Sequence, residues 1–231
     1  SSTTKLIHMA YFDTDYLEFF KELAGNNHKE WFDIHRKRYE QNVKIPMQVF
    51  VKDLILALKR IDKEIQIEPK DAIFRINRDI RFSKDKSPYK LQSSAIISKY
   101  GKKDKNYPGL YIELGPEHFG IYGGLYMPDS KEIQGIRTYI ADHQKEFAAL
   151  INEADFVDKY EEIKGEKNQR IPKEFAKMAE EIPLLMNKQW YYFAHLDPET
   201  ILREDLIDIV VDYYSSASGM RSFLTKAINL N

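Results

Sequence analysis

The chain contains no cysteine. Disulfides, thiolate metal sites and cysteine nucleophiles are thereby excluded, and a reducing cytoplasm is the expected compartment. Net charge is nearly absent as well, −1 over 231 residues, whereas a chain built to coat long duplex nucleic acid is usually basic overall. No run approaches the roughly 18 apolar residues of a membrane helix. Residues 1–20 lack an apolar stretch with a small-residue cleavage site, so no secretory leader and no membrane partner are expected. The phosphate loop G-x-x-x-x-G-K-[ST], the nucleophile elbow G-x-S-x-G, the zinc motif H-E-x-x-H and a G-x-G-x-x-G after a strand are all missing.

What is present is a hydrophobic content of 43% with 15 Tyr and 13 Phe, enough for a sizeable core. Residues 13–62 read as helical. Asp15 and Glu18 have capping-box spacing ahead of Leu17, Phe20 and Leu23, and Gly25-Asn26-Asn27 ends that helix. Asn27 and Glu30 open a second helix in the same way. Pro46 suits the first turn of a third, whose seam is Phe50, Leu54, Leu58 and Ile61. Between 71 and 127 the period changes to two. "AIFRINRDIRFS" alternates and predicts a strand, "LQSSAIIS" a second, and Leu110–Leu114 with Phe119–Met127 a hairpin about a turn at residues 115–118. Asp129 and Glu132 open a helix running to about Leu150, and two more helices, broken between Ser215 and Gly219, end the chain. The expectation is an α+β fold: N-terminal helices, a small, mainly antiparallel sheet in the middle, and C-terminal helices. Residues 10–231 would form one domain behind a flanking segment at 1–9.

The charge is unevenly placed. Residues 75–105 hold ten Lys or Arg against three Asp, so this segment carries +7 and the remainder −8. A local positive field against an acidic body points to an anionic partner of limited size. At its head stands "RINRDIRFSKDKSPYK". Arg75, Asn77, Asp79 and Arg81 would line one face of the predicted strand at about 6.6 Å steps. Guanidinium groups offer bidentate donors to phosphate or carboxylate.

Arg75, Arg78, Asp79, Arg81, Phe82, Lys86, Pro88 and Tyr89 match a pattern R-x-x-R-D-x-R-F-x-x-x-K-x-P-Y. In these positions the chain resembles a bacterial and fungal family catalogued as domain of unknown function 2461. "NNHKEWFDIHRKRYE", the segment Gly123–Pro128 and the "RIPK" at Arg170 are similar to further family segments. The resemblance implies one domain and marks the motif as the place to look; it implies no particular activity.

Three readings of the motif follow. In the first, Arg75, Arg78, Arg81 and Lys86 build a binding or catalytic pocket for a small anionic ligand. Asp79 is then the acid–base candidate, Tyr89 a wall or donor, and Glu113 a further member. Arg81→Ala is expected to lose the ligand and keep the fold. In the second, segment 75–105 is a non-catalytic module for nucleic acid or an acidic protein. In the third the arginines are structural, with Arg78, in the apolar register, paired to Asp79 or Glu113. Asp79 and Glu113 lack the following lysine of a metal-dependent nuclease, position 115 being Gly. Among the histidines, His28 and His35 stand about 10.5 Å apart on a helix, too far for one metal, and suit a surface or capping role. His143 and Glu146 are only two ligands, so no metal site is expected. His118 reads as a solvated turn residue, and Tyr122, Tyr126, Trp190, Tyr191 and Tyr192 as core and cleft wall.

Overall fold

Asp13, in extended conformation, caps the first helix with its carboxylate on the Asp15 N–H at 2.9 Å. The cap of helix α1 (Thr14–Gly25) therefore stands two residues before the predicted one, and Asp15 is released to bind elsewhere. Helix α2 (Lys29–Ile34) is capped by His28 rather than Asn27, the imidazole accepting from Trp31 N. This is the capping role expected of His28. A short α3 (Arg36–Tyr39) and one wide turn lead into α4 (Ile45–Lys59), with Pro46 in its first turn, where a missing N–H costs nothing. Phe50, Leu54 and Leu58, four residues apart, are fully buried, while Ile61 lies past the helix end and is exposed. The single turn α5 (Pro69–Ala72) follows. A computed structural model describes residues 9–229; the flanking segment expected at 1–9 falls outside them except for Met9.

Strands β1 (Ser93–Ile97), β2 (Leu110–Leu114), β3 (Phe119–Leu125) and β4 (Trp190–Leu196) pair antiparallel in that order. The hairpin and the strand in "LQSSAIIS" stand where the sequence placed them; β4 has no counterpart in the sequence reading. Leu110, Ile112 and Leu114 face the core, so Tyr111 and Glu113 project from the other face.

The strand predicted over 72–83 does not form. Only isolated bridges, Ile73 to Ala95 and Asn77 to Tyr89, tie the segment to neighbours. Its pairing partner is its own return limb: Arg78 N donates to Pro88 O at 2.9 Å and Lys90 N to Ile76 O at 2.8 Å. Pro88 has no N–H to continue a ladder. The motif is thus a lobe folded on itself, with Phe82 at its tip 95% exposed.

The Asp129–Glu132 capping box opens α6 (Ser130–Asp142) as expected, but the helix stops at His143, and α7 (Gln144–Ile151) is separate. The His143 ring bonds back to Tyr139 O and stacks on the Tyr139 ring, so its backbone leaves helical geometry. Helices α8 (Ala154–Tyr160), α9 (Lys173–Ala176) and α10 (Met178–Glu181) are short, and α11 (Leu206–Ser216) and α12 (Ser218–Ile228) break at Ala217, inside the expected interval. One connected core runs from Phe12 to Ala227, between the inner face of the sheet and the helices. Among the described residues, no helix is long and apolar enough to cross a membrane.

Candidate functional site

The motif lobe is held by its own arginine. Arg78, 27% exposed, donates to Ser87 O at 2.7 Å and Asp85 O at 3.3 Å, reaches Ser83 Oγ at 3.4 Å and pairs with the Asp85 carboxylate. Its partner is therefore Asp85, not Asp79 or Glu113. Asp85 also accepts from Ser87 N and Oγ, and Lys86 donates to Ile80 O. Arg81, 76% exposed, forms a two-point pair with Asp79. That bond, helped by the Arg81 backbone N–H, holds the Asp79 carboxyl below its ordinary range and makes it a poor proton acceptor. Tyr89 is buried, stacked on Phe32 at 4.2 Å.

The motif arginines therefore do not converge on one space. Arg81 turns outward, Arg78 borders one cleft, and Arg75 borders a different groove. The register of a flat strand would have aligned Arg75 with Arg81; a lobe folded at residues 81–87 sends them apart.

The Arg75 groove, about 530 Å³, lies between α4, α5 and the 73–76 segment. Lys44, Lys52, Lys70, Arg75 and Lys102 line it, over Met47, Ile73 and Phe74, and no carboxylate is among its walls. Lys70 pairs with Glu68. The other four have no carboxylate within 4.0 Å among the described residues. Lys102 Nζ donates to Ile73 O and Lys90 Nζ to Arg75 O, and the ammonium groups of Lys90 and Lys105 lie 5.5 and 5.4 Å from the Phe74 ring. Burial, and then the positive charges of Arg75, Lys105 and Lys102, push the Lys90 amine below its ordinary value. Apart from Lys70, the cations of this groove crowd together without a carboxylate partner among the described residues.

The second cleft, about 810 Å³, brings Arg78, Tyr89 and Glu113 together with Lys21, Lys90 and His118. Three residues singled out in the sequence meet here. Glu113 leads from this cleft onto the outer face of the sheet. Its Oε1 accepts from Tyr111 Oη at 2.9 Å and its Oε2 from Tyr122 Oη at 3.0 Å, with His118 Nε2 at 3.4 Å. Tyr122 Oη also lies 2.7 Å from His195 Nε2, and the rings of His118 and His195 stack at 3.8 Å. Burial first, and then the Glu113 charge, push the Tyr122 phenol up; burial and the neighbouring His118 push His195 down, against Glu113. Among the described residues no group of three or more His, Asp or Glu is arranged to hold a metal ion. Glu113, His118 and His195 meet through a phenol instead.

His118 is thus no solvated turn residue, and His195 was not singled out in the sequence at all. The signal for it was the period-two pattern of "WYYFAHL": Trp190 and Tyr192 are buried, and Tyr191, Phe193 and His195 take the outer face. The sequence matches the family described as Conserved hypothetical protein (DUF2461) over residues 15–223. No curated protein and no solved structure matches it.

Proposed function

The chain belongs to the DUF2461 family, and we propose that it binds a small phosphorylated or carboxylated molecule in the groove beside Arg75. The observation that carries this reading is the set of five cations lining a groove without a carboxylate wall. Like charges held together repel one another, and an anionic guest relieves that repulsion. Arg75 supplies a planar, two-point donor, the lysines supply point charges, and Met47, Ile73 and Phe74 suit an organic body on the ligand. A reducing cytoplasm, where such metabolites are abundant, fits a chain without cysteine.

The test is a thermal-shift panel of inorganic phosphate, small phosphomonoesters and small carboxylates, with titration calorimetry on any hit. A ligand at a hundred times its Kd stabilises the native state by about 2.7 kcal/mol, which is about 5–10 °C for a chain of this size. Arg75→Ala and Lys102→Ala are expected to abolish the shift without unfolding the protein. A panel with no hit, or hits that Arg75→Ala leaves intact, overturns the proposal. A hit whose affinity collapses between low and moderate salt, matched by binding of single-stranded oligonucleotides, would assign the segment to nucleic acid instead.

A further inference from the structure

We infer that Glu113, Tyr122 and His195 form an acid–base centre on the outer face of the sheet, with His195 as the general base that activates water against a small ester seated in the cleft walled by His118. This site is separate from the Arg75 groove and does not rest on the anion-binding reading.

The geometry is that of a relay. Glu113 and His195 lie in one cross-strand row, Glu113 opposite Gly120 and Gly120 opposite His195. The middle place of the row has no side chain, and a Cβ there would stand 2.4 Å from Tyr122 Cε2 and 2.8 Å from its hydroxyl. The Tyr122 ring occupies the gap that glycine leaves, and its hydroxyl spans from Glu113 Oε2 at 3.0 Å to His195 Nε2 at 2.7 Å. Tyr111 occupies the other oxygen of Glu113. That pins the carboxylate, so Tyr122 keeps its donor direction. His195 is exposed, and Nε2 makes its only protein hydrogen bond among the described residues, which leaves Nδ1 open to a reactant. His118, stacked on His195, lines the 810 Å³ cleft and places the base at its edge.

A carboxylate that merely needed donors on a sheet face would be satisfied by Tyr111 and Tyr122. It would not require an exposed imidazole held at 2.7 Å on the far side of the phenol. Burial first, and then the neighbouring His118, hold His195 below the ordinary imidazole value against Glu113, so the ring is neutral at neutral pH and free to accept a proton.

In the step, a water O–H proton passes to His195 Nδ1, and the water oxygen forms a bond to the ester carbonyl carbon. His195 Nε2–H stays donated to Tyr122 Oη, whose own proton stays on the Glu113 side, so the new imidazolium faces a fixed negative charge through one phenol. The carbonyl–alkoxy bond breaks, the leaving oxygen takes the proton from His195, and acid and alcohol are released.

The probe is p-nitrophenyl acetate with the full chain, its hydrolysis followed against pH. The wild-type rate is expected to exceed that of free imidazole at equal concentration and to rise along a single titration. His195→Gln should lower it at least tenfold. Tyr122→Phe should lower it and displace the midpoint, and Glu113→Gln should move the midpoint down. The histidine ring signals in NMR follow the same titration and report whether each variant is folded. A wild-type rate no greater than free imidazole overturns the proposal. So does a folded His195→Gln variant with unchanged rate, or a His195 midpoint indifferent to both Tyr122→Phe and Glu113→Gln.

Discussion

The side-chain amide of Asn27 grips Tyr89 by both its backbone groups: Asn27 Nδ2 donates to Tyr89 O at 2.9 Å and Tyr89 N donates to Asn27 Oδ1 at 3.1 Å. Two segments 62 residues apart in the chain, the "NNHKEW" turn and the end of the arginine motif, are joined as if one side chain were a strand. Both belong to the stretches that carry the family resemblance, and their juxtaposition gives that resemblance a physical cause. The bond fixes Tyr89 under Phe32 and so sets where the motif lobe leaves the body.

Asn27→Ala removes a donor and an acceptor from partly buried backbone partners. Each net hydrogen bond is worth about 0.5–1.5 kcal/mol, and more where a buried group is left unpaired, so a loss of about 1–3 kcal/mol is expected. Urea unfolding checks it. A midpoint equal to wild type would show that water replaces the amide at no cost.

Arg78→Lys keeps the charge but cannot reach Ser87 O, Asp85 O and Ser83 Oγ from one fixed plane. The lobe between residues 79 and 87 is expected to loosen, with about 1–2 kcal/mol lost because Arg78 is largely shielded. Hydrogen exchange at Ser87 and Tyr89 should quicken. Arg81→Ala, by contrast, removes an exposed pair with Asp79 and a contact with the exposed Phe82 ring, and Arg81 borders neither cavity, so the melting temperature and any anion binding at Arg75 are both expected to stay at wild-type values.

How far the sequence could be read follows the range of the forces involved. The Asp129–Glu132 box, Pro46 and the hairpin at 110–125 rest on neighbours within a few residues, and each lies where local pattern placed it. The 72–83 alternation misled because period two describes any extended ribbon, including one that folds back on its own return limb. Asp13 outcompeted Asp15 as a cap because Asp15 has a better partner in Arg38, 23 residues away. Glu113 could be suspected from its strand, but His195 reaches it through Tyr122 across 73 residues of sequence, and no local pattern announces such a contact. Strand β4 hid in a run of aromatics that reads equally as core.

Asp15 gives a pH test with a definite sign. The Arg38 guanidinium, chiefly, and the Asn42 amide hold its carboxyl below the ordinary range, burial opposing them. A folded value below the unfolded value of about 3.9 means that the unfolded chain takes up the proton first. The stabilisation is therefore complete above about pH 4 and is lost as pH falls through the folded value. Asp15→Asn is expected to cost about 1 kcal/mol at neutral pH, the partial exposure of the pair screening it. Urea midpoints of variant and wild type should then draw together below pH 4. A gap that stays constant down to pH 2 would mean the ion pair contributes nothing beyond its hydrogen bonds.

Gly120→Ala separates packing from relay. The three atoms nearest the new methyl, all within 3 Å, belong to the Tyr122 side chain, so the ring is what must move. Tyr122 is only half-buried, and it can swing toward solvent while β3 keeps its pairing. The core on the opposite face, Phe119 and Ile121 among it, is untouched, so the melting temperature should change little. The contacts Tyr122 makes with Glu113 and His195 cannot survive the same movement. Burial is the first cause of the lowered His195 value, so opening its surroundings should raise the midpoint of that ring toward the ordinary 6.5. NMR titration of the histidine signals reads both results in one experiment. A folded Gly120→Ala protein whose His195 titrates as in the wild type would mean that the phenol keeps its place despite the methyl, and the glycine would then have no part in building the row.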